Sequence, residues 1–172
     1  MDFLYLSFYV CLRLRFLHVE TNPGPRRPDP AVCRILCSNV WGLAGNLSEL
    51  TVASSQYDIL LCFETLVSYM RHVSEILVPG FGHPVLCRGN MPRARGIAAY
   101  LRDGYRAFRQ PKFEWGCCEM LIFRVCGKRQ NLYVFCLYRN PDLDDRIFDY
   151  LLASMAAVLT GDIRSSFLFV GD

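Results

Sequence analysis

Ser165-Ser166-Phe167-Leu168-Phe169-Val170-Gly171-Asp172 is the stretch whose reading decides the fold. Four consecutive large apolar residues, Phe167, Leu168, Phe169 and Val170, read as a strand buried on both faces, because a half-exposed strand alternates apolar with polar. Gly171 frees the backbone at the strand's end, and Asp172 then delivers a carboxylate to the edge of the sheet. In open α/β sheets, ligands bind at the carboxyl ends of the strands.

Working back from that strand, Asp142 reads as a helix N-cap with Asp145 three residues on. Leu143, Ile147, Leu151, Met155 and Val158 follow at spacings of three and four, one apolar face on a helix that ends near Thr160 and Gly161. Before it, 120–126 and 132–138 are apolar runs joined by Gly127-Lys128-Arg129-Gln130. They read as a hairpin, apolar on both faces, in the middle of a packed sandwich. Residues 97–102 and 107–110 also carry a strand pattern. Tyr138, Arg139, Asn140 and Pro141 close the hairpin, which puts Tyr138 and Asn140 at a strand's carboxyl end.

The first part of the domain repeats the theme. Residues 33–39 read as a strand ending on Asn39, 43–54 carry Leu47, Leu50 and Val52 at roughly helical spacing, and 57–63 form a continuous apolar strand ending on Glu64. Strand, helix, strand at both ends of the domain argues for α/β architecture. Residues 67–90, punctuated by Pro79, Gly80, Gly82 and Pro84, read as irregular. A polar residue at one strand end also serves as a turn cap or helix-start acid; four such ends in order, Asn39, Glu64, Tyr138 with Asn140, and Asp172, carry more weight.

A chain of 172 residues with 52% hydrophobic content suits one domain with a real core plus an N-terminal extension. The net charge of +3 is mild but uneven. Arg88, Arg93, Arg95, Arg102, Arg106, Arg109 and Lys112 crowd a segment whose one acid is Asp103, which suits a polyanionic partner or, equally, a solvated basic face. Nine cysteines raise disulfides or zinc. Five of them, Cys33, Cys37, Cys62, Cys126 and Cys136, lie inside apolar strand-like runs, and there is no C-x-x-C pair, which points to buried reduced thiols in a reducing compartment. A structural zinc site stays open as an alternative, although none of His18, His72 and His83 pairs with a cysteine at ligand spacing.

Residues 1–17 are apolar and aromatic, interrupted by Arg13 and Arg15. The run is too short to span a bilayer, and Asp2 stands where a secretory signal carries positive charge, so no membrane span and an intracellular site, nucleus or cytoplasm, are expected. Residues 1–25 form this leader and the segment that closes it, 26–32 are a basic, proline-punctuated linker, and the folded domain is expected over 33–172.

Two resemblances can be named on these residues. His18-Val19-Glu20-Thr21-Asn22-Pro23-Gly24-Pro25, a turn by composition alone, resembles the end of ribosome-skipping 2A-like peptides, whose pattern is D-x-E-x-N-P-G-P after an apolar stretch. His18 stands where those peptides have Asp. The resemblance implies that the bond from Gly24 to Pro25 goes unmade in a share of translation events. The second resemblance covers about 33–172. I-L-C-S-N-V-W-G-L, L-L-C-F-E-T, G-I-A-A-Y-L-R-D, L-Y-R-N-P-D and F-L-F-V-G-D are similar, in order, to motifs of the endonuclease/exonuclease/phosphatase superfamily. The match is with its apurinic-type endonuclease domain at the front of LINE-type non-LTR retrotransposon polyproteins. A 2A-like peptide ahead of such a domain is an arrangement those elements share.

That resemblance implies a partial four-layer α/β sandwich and a magnesium- or manganese-dependent DNA endonuclease that nicks target DNA, with a reverse transcriptase domain expected downstream. Glu64 would be the direct carboxylate ligand of the ion and Asn39 an orienting amide. Tyr138 would bond the scissile phosphate with Asn140 close by, Asp172 would orient the attacking water, and the basic segment would contact DNA phosphates. Such an inventory is what a metal-assisted phosphodiesterase needs. Ser38, Trp41 and Phe63 depart from the family pattern. The family's Asn two residues beyond Asp172 and its later S-D-H segment do not follow here, so the fold is expected to lack its C-terminal part, to expose apolar surface along the last strand and to be inactive by itself. The competing readings are a degenerate retroelement remnant that at most binds nucleic acid or a partner, and a phosphatase or lipid phosphodiesterase of the same superfamily.

Cell-free translation of the full reading frame is expected to yield, beside the full-length chain, a short product ending at Gly24. Full-length product alone would overturn the skipping assignment.

Overall fold

The computed structural model describes residues 33–67, 72–88, 95–116, 118–127, 130–138 and 146–171. The leader, the linker and the predicted N-cap Asp142 lie outside them. Two four-stranded sheets carry the fold. In the first, β1 (Ile35–Asn39), β2 (Ile59–Phe63), β3 (Val85–Cys87) and β4 (Ile97–Leu101) take the order β1-β2-β4-β3. β1 and β2 are parallel with Asn39 opposite Phe63, so both end on the same rung, and β4 runs antiparallel to β2 and β3. The crossover between the parallel strands is α1 (Leu47–Ser54).

In the second sheet β5 (Ala107–Arg109), β6 (Glu119–Val125), β7 (Leu132–Tyr138) and β8 (Ser166–Gly171) stand in sequence order. β6 and β7 form the expected antiparallel hairpin. β7 and β8 are parallel, joined by α2 (Arg146–Gly161). Parallel neighbours need such a crossover, because a tight turn only reverses the chain.

Period-two alternation sorts the strand side chains into three cores. Between the sheets, Ile59, Leu61, Phe63 and Ala99 pack against Leu121, Phe123, Val134, Cys136, Leu168 and Val170. On the outer face of the first sheet, Leu60, Cys62, Ala98 and Tyr100 are covered by Leu43, Leu50, Ile76, Val78 and Phe81. The buried Tyr100 hydroxyl donates to the Ile76 carbonyl at 2.6 Å, tying that covering loop down. On the outer face of the second sheet, Ile122, Tyr133, Phe135 and Phe167 meet Ile147, Leu151 and Val158 of α2, with Trp115 stacked on Tyr150. The result is the four-layer α/β sandwich that two-face-buried strands predict.

Three details differ from the sequence reading. Residues 67–90 contain β3 and a 3₁₀ turn, Val73–Ile76. A three-residue strand shows no periodicity of its own, and pairing with β4 supplies it. Residues 43–46 are a turn outside the helix, fixed by Asn46, whose Nδ2 donates to the carbonyls of Val40 and Gly42. Val52 is 79% exposed, because the buried face of α1 runs through Leu47, Leu50 and Ser54, half a turn away. Among the described residues no helix is long and apolar enough to cross a membrane.

The strand cysteines are thiols, not cystines. Burial pushes Cys37 and Cys62 up to about 12, Cys33 likewise with help from the Asp58 charge, and fully buried Cys136 well above its ordinary value. A raised value keeps each thiol protonated at neutral pH, and the thiolate is the nucleophile. Ellman's reagent at pH 8 is therefore expected to leave Cys37, Cys62 and Cys136 untouched until denaturant is added; their labelling in the native protein would contradict this packing.

Candidate functional site

The parallel pairs β1–β2 and β7–β8 point their carboxyl ends at one edge of the sandwich, and the two sheets meet there through side chains. Alternation along β2 puts Ile59, Leu61 and Phe63 between the sheets, so an extended Glu64 would face outward with Leu60 and Cys62. Glu64 instead leaves the strand with φ +51°, and its carboxylate accepts a hydrogen bond at 3.0 Å from the Tyr138 hydroxyl of the second sheet. The other carboxylate oxygen takes the Arg95 guanidinium at 2.5 Å. Glu64 is 5% exposed, so this carboxylate is buried with its balancing charge beside it.

Among the described residues the non-glycine residues with positive φ are Trp41, Glu64 and Leu66, at +42°, +51° and +51°. Each costs about 1 kcal/mol or more in the left-handed region. One of them bears the carboxylate, and the turns of the other two are hydrogen-bonded to its backbone or to its partner Arg95. The backbone around them is pinned from both sides: Gly42 and Leu43 donate to the carbonyls of Glu64 and Thr65, while Thr65 and Leu66 donate to those of Gly96 and Arg95. Asn39 at the end of β1 accepts the Trp41 amide on Oδ1 at 3.2 Å, and Arg95 also lies 4.9 Å above the Trp41 ring.

Glu119 completes the frame, and nothing in its local sequence singles it out. Its two carboxylate oxygens accept the backbone amides of Arg95 and Gly96 at 2.7 and 2.5 Å. Glu119 sits opposite Tyr138 on the same rung of the β6–β7 ladder. One rung of the second sheet therefore supplies both the clamp on the start of β4 and the hydroxyl on Glu64. The signal available in the sequence was parity: Glu119 continues the inward series of Leu121, Phe123 and Val125.

Of the predicted site residues, Asn39, Glu64 and Tyr138 stand at neighbouring strand ends, and Glu64 and Tyr138 touch. Asn140 and Asp172 lie outside the described residues, as do Arg93, Gly24 and Pro25. The basic segment is divided by β4. Arg88 and Arg95 stand at the edge of Glu64, whereas Arg102 and Arg106 stand at the far end of a five-residue strand, roughly 17 Å away at 3.4 Å per residue. Arg102 caps the carboxyl end of α1, donating to the carbonyls of Ser54, Ser55 and Tyr57. Arg109 is bound to Glu114 through Nε and Nη2 and to the Leu86 carbonyl through Nη1. Lys112 sits over the Phe113 ring. Sequence counting missed this division because charge composition carries no record of which end of a strand a residue occupies.

The chain matches no protein-family profile and no curated protein sequence. Solved structures do resemble it. The endonuclease domain of TRAS1, a telomere-specific non-LTR retrotransposon, is 15% identical at a TM-score of 0.50 over 80% of this chain and 57% of that one. The AP endonuclease LMAP from Leishmania major is 16% identical at 0.53, over 80% and 54%. D. rerio TDP2, complexed with a single-strand DNA product, is 15% identical at 0.54, over 80% and 59%. The chain thus spans little more than half of each. At these identities the likeness is one of fold, the α/β sandwich of the endonuclease/exonuclease/phosphatase type.

Gly96 has φ +79°, and a Cβ there would lie 2.6 Å from Thr65 Oγ1 and 3.3 Å from the Cys87 carbonyl. Gly96→Ala is expected to destabilise the fold by about 1–3 kcal/mol, since backbone strain and steric overlap add. Gly116→Ala, with open space around the added methyl, serves as the control. A urea midpoint for Gly96→Ala equal to that of the control would mean the pinned loop is not held as described.

Proposed function

We propose that this chain supplies the Glu64–Tyr138 part of the active site of a magnesium-dependent DNA endonuclease, one that hydrolyses a phosphodiester to nick target DNA for retrotransposition. The observation that carries the reading is the cluster of three strained residues, one of them bearing a carboxylate shared by two sheets; strain of this kind gathers at functional sites. The likeness in fold to the TRAS1 endonuclease domain supports it.

Hydrolysis places negative charge on the non-bridging phosphate oxygens, and donors fixed before the reaction stabilise that charge most. The Tyr138 hydroxyl is held on Glu64 and would turn its proton onto a phosphate oxygen brought to the same edge. Arg95 offers a guanidinium beside it, suited to two phosphate oxygens at once. Asn140 and Asp172 would complete the set, the first near the phosphate and the second on the attacking water. Arg88, on the Glu64 edge, would contact the flanking phosphate backbone, a salt-sensitive contribution.

The donor set suits a hard dication. Glu64 is a buried carboxylate whose outer oxygen already draws a cationic group, and Asn39 presents an amide oxygen at the adjacent strand end. Mg²⁺ binds through one or two such oxygens and otherwise keeps its waters. When bound, it would supply Lewis-acid stabilisation of the phosphate charge. A downstream reverse transcriptase domain is the partner this reading implies.

A second reading, nucleic-acid binding without hydrolysis, is favoured by one observation: Arg95 already balances the Glu64 charge. Supercoiled plasmid with Mg²⁺ separates the two. Under the first reading a longer chain that carries the expected C-terminal part nicks, its Glu64→Ala variant does not, and Tyr138→Phe is slower by about 10²-fold, the scale of losing one preorganised donor. Plasmid binding with no nicking above the Glu64→Ala background leaves the binding reading in place.

A further inference from the structure

The site carries two apolar side chains left largely in solvent. Trp41 is 67% exposed and Leu66 54% exposed. Both sit on left-handed backbone, and a Cβ on Gly42, the residue after Trp41, would meet Leu66 Cδ1 at 3.8 Å. The turn beneath them is fixed by Asn46, by the Gly42 amide on the Glu64 carbonyl and by the Leu66 amide on the Arg95 carbonyl. A rigid backbone that holds an indole in water at a site's rim marks a contact surface.

What fits that surface is set by its neighbours. Arg95 stands 4.9 Å from the Trp41 ring centroid and 2.5 Å from Glu64, and Glu64 is 3.0 Å from Tyr138. The indole is thus three contacts from the hydroxyl that would hold a phosphate, with a cation in between. A planar aromatic face backed by a guanidinium suits a nucleobase. A base inside a duplex has both faces stacked already, so the occupant is unpaired.

We propose that Trp41, backed by Arg95, is a stacking platform for an unpaired nucleobase next to the phosphate at Tyr138, making single-stranded or locally unpaired nucleic acid the preferred ligand. The platform deepens the nucleic-acid reading above and rests on it. It assigns to Trp41 a specificity role that does not depend on catalysis, so binding alone tests it.

The experiment is fluorescence anisotropy of the full 172-residue chain with a labelled oligothymidylate and with an abasic sugar-phosphate chain of equal length. Wild type is expected to bind the base-bearing strand about tenfold tighter, within the range of one stacked base. Trp41→Ala is expected to bind both strands alike, and Trp41→Phe to keep most of the preference, which also guards against a variant that fails to fold. Preference retained in Trp41→Ala overturns the platform while leaving the nucleic-acid reading intact. Binding of neither strand by wild type overturns both. If Trp41→Ala alters sedimentation without altering strand preference, the patch is a contact between copies of this chain and the platform is wrong.

Discussion

An ionised carboxylate buried between two sheets sets the terms for the structure around it. Left unbalanced, such a charge would cost several kcal/mol in desolvation. Glu64 is balanced by groups from two places, the start of β4 and the end of β7. Neither partner arrives unless the sheets are stacked in the correct register. The core between them, Leu61 and Phe63 against Leu121, Phe123 and Cys136, supplies most of the adhesion but little of the position, since hydrophobic attraction has no direction. A one-residue slip of β6 against β7 would carry Glu119 or Tyr138 to the helix-covered face, so the polar contacts and the apolar alternation select the same register.

The two sheets share a construction. Each has one parallel pair closed by a helix on its outer face, β1-α1-β2 and β7-α2-β8, and each extends through antiparallel strands. Parallel strands bring their carboxyl ends to a common edge, which is why polar groups gather there. The helices themselves contribute no described side chain to the Glu64 cluster. They cover the outer faces and let the parallel strands be buried on both sides, and a strand with no exposed face leaves its ends as the place for chemistry.

Much of this was legible in the sequence, and what was not has a physical reason. Runs such as Ile59 to Phe63 and Leu132 to Tyr138 declared themselves because burial on both faces removes polar residues from the strand interior. Strand ends followed directly, and with them Asn39, Glu64 and Tyr138. The three residues of β3 fell below the length at which any pattern exists. Arg102 read as one of a basic run because its Nε and Nη2 donors meet backbone carbonyls, which every sequence supplies equally. Glu119 and Arg95 were hidden more deeply. Their roles arise from the meeting of strands 24 and 31 residues apart, a distance across which local composition is silent.

The left-handed residues carry the argument furthest. Extended backbone would have pointed Glu64 at the wrong face, so the positive φ is what makes the carboxylate part of the inter-sheet site. Its strain is offset by the hydrogen bonds that continue past the strand ends, from Val40 to Phe63, Gly42 to Glu64, Leu43 to Thr65 and Leu66 to Arg95, each worth about 0.5–1.5 kcal/mol net. Glycine would have taken the same conformations without steric cost, and it does so close by at Gly42 and Gly96. Trp41, Glu64 and Leu66 forgo that relief. For Glu64 the return is a fixed carboxylate; for Trp41 it is the Arg95 guanidinium over one face of the ring, while much of that side chain and of Leu66 stays in solvent.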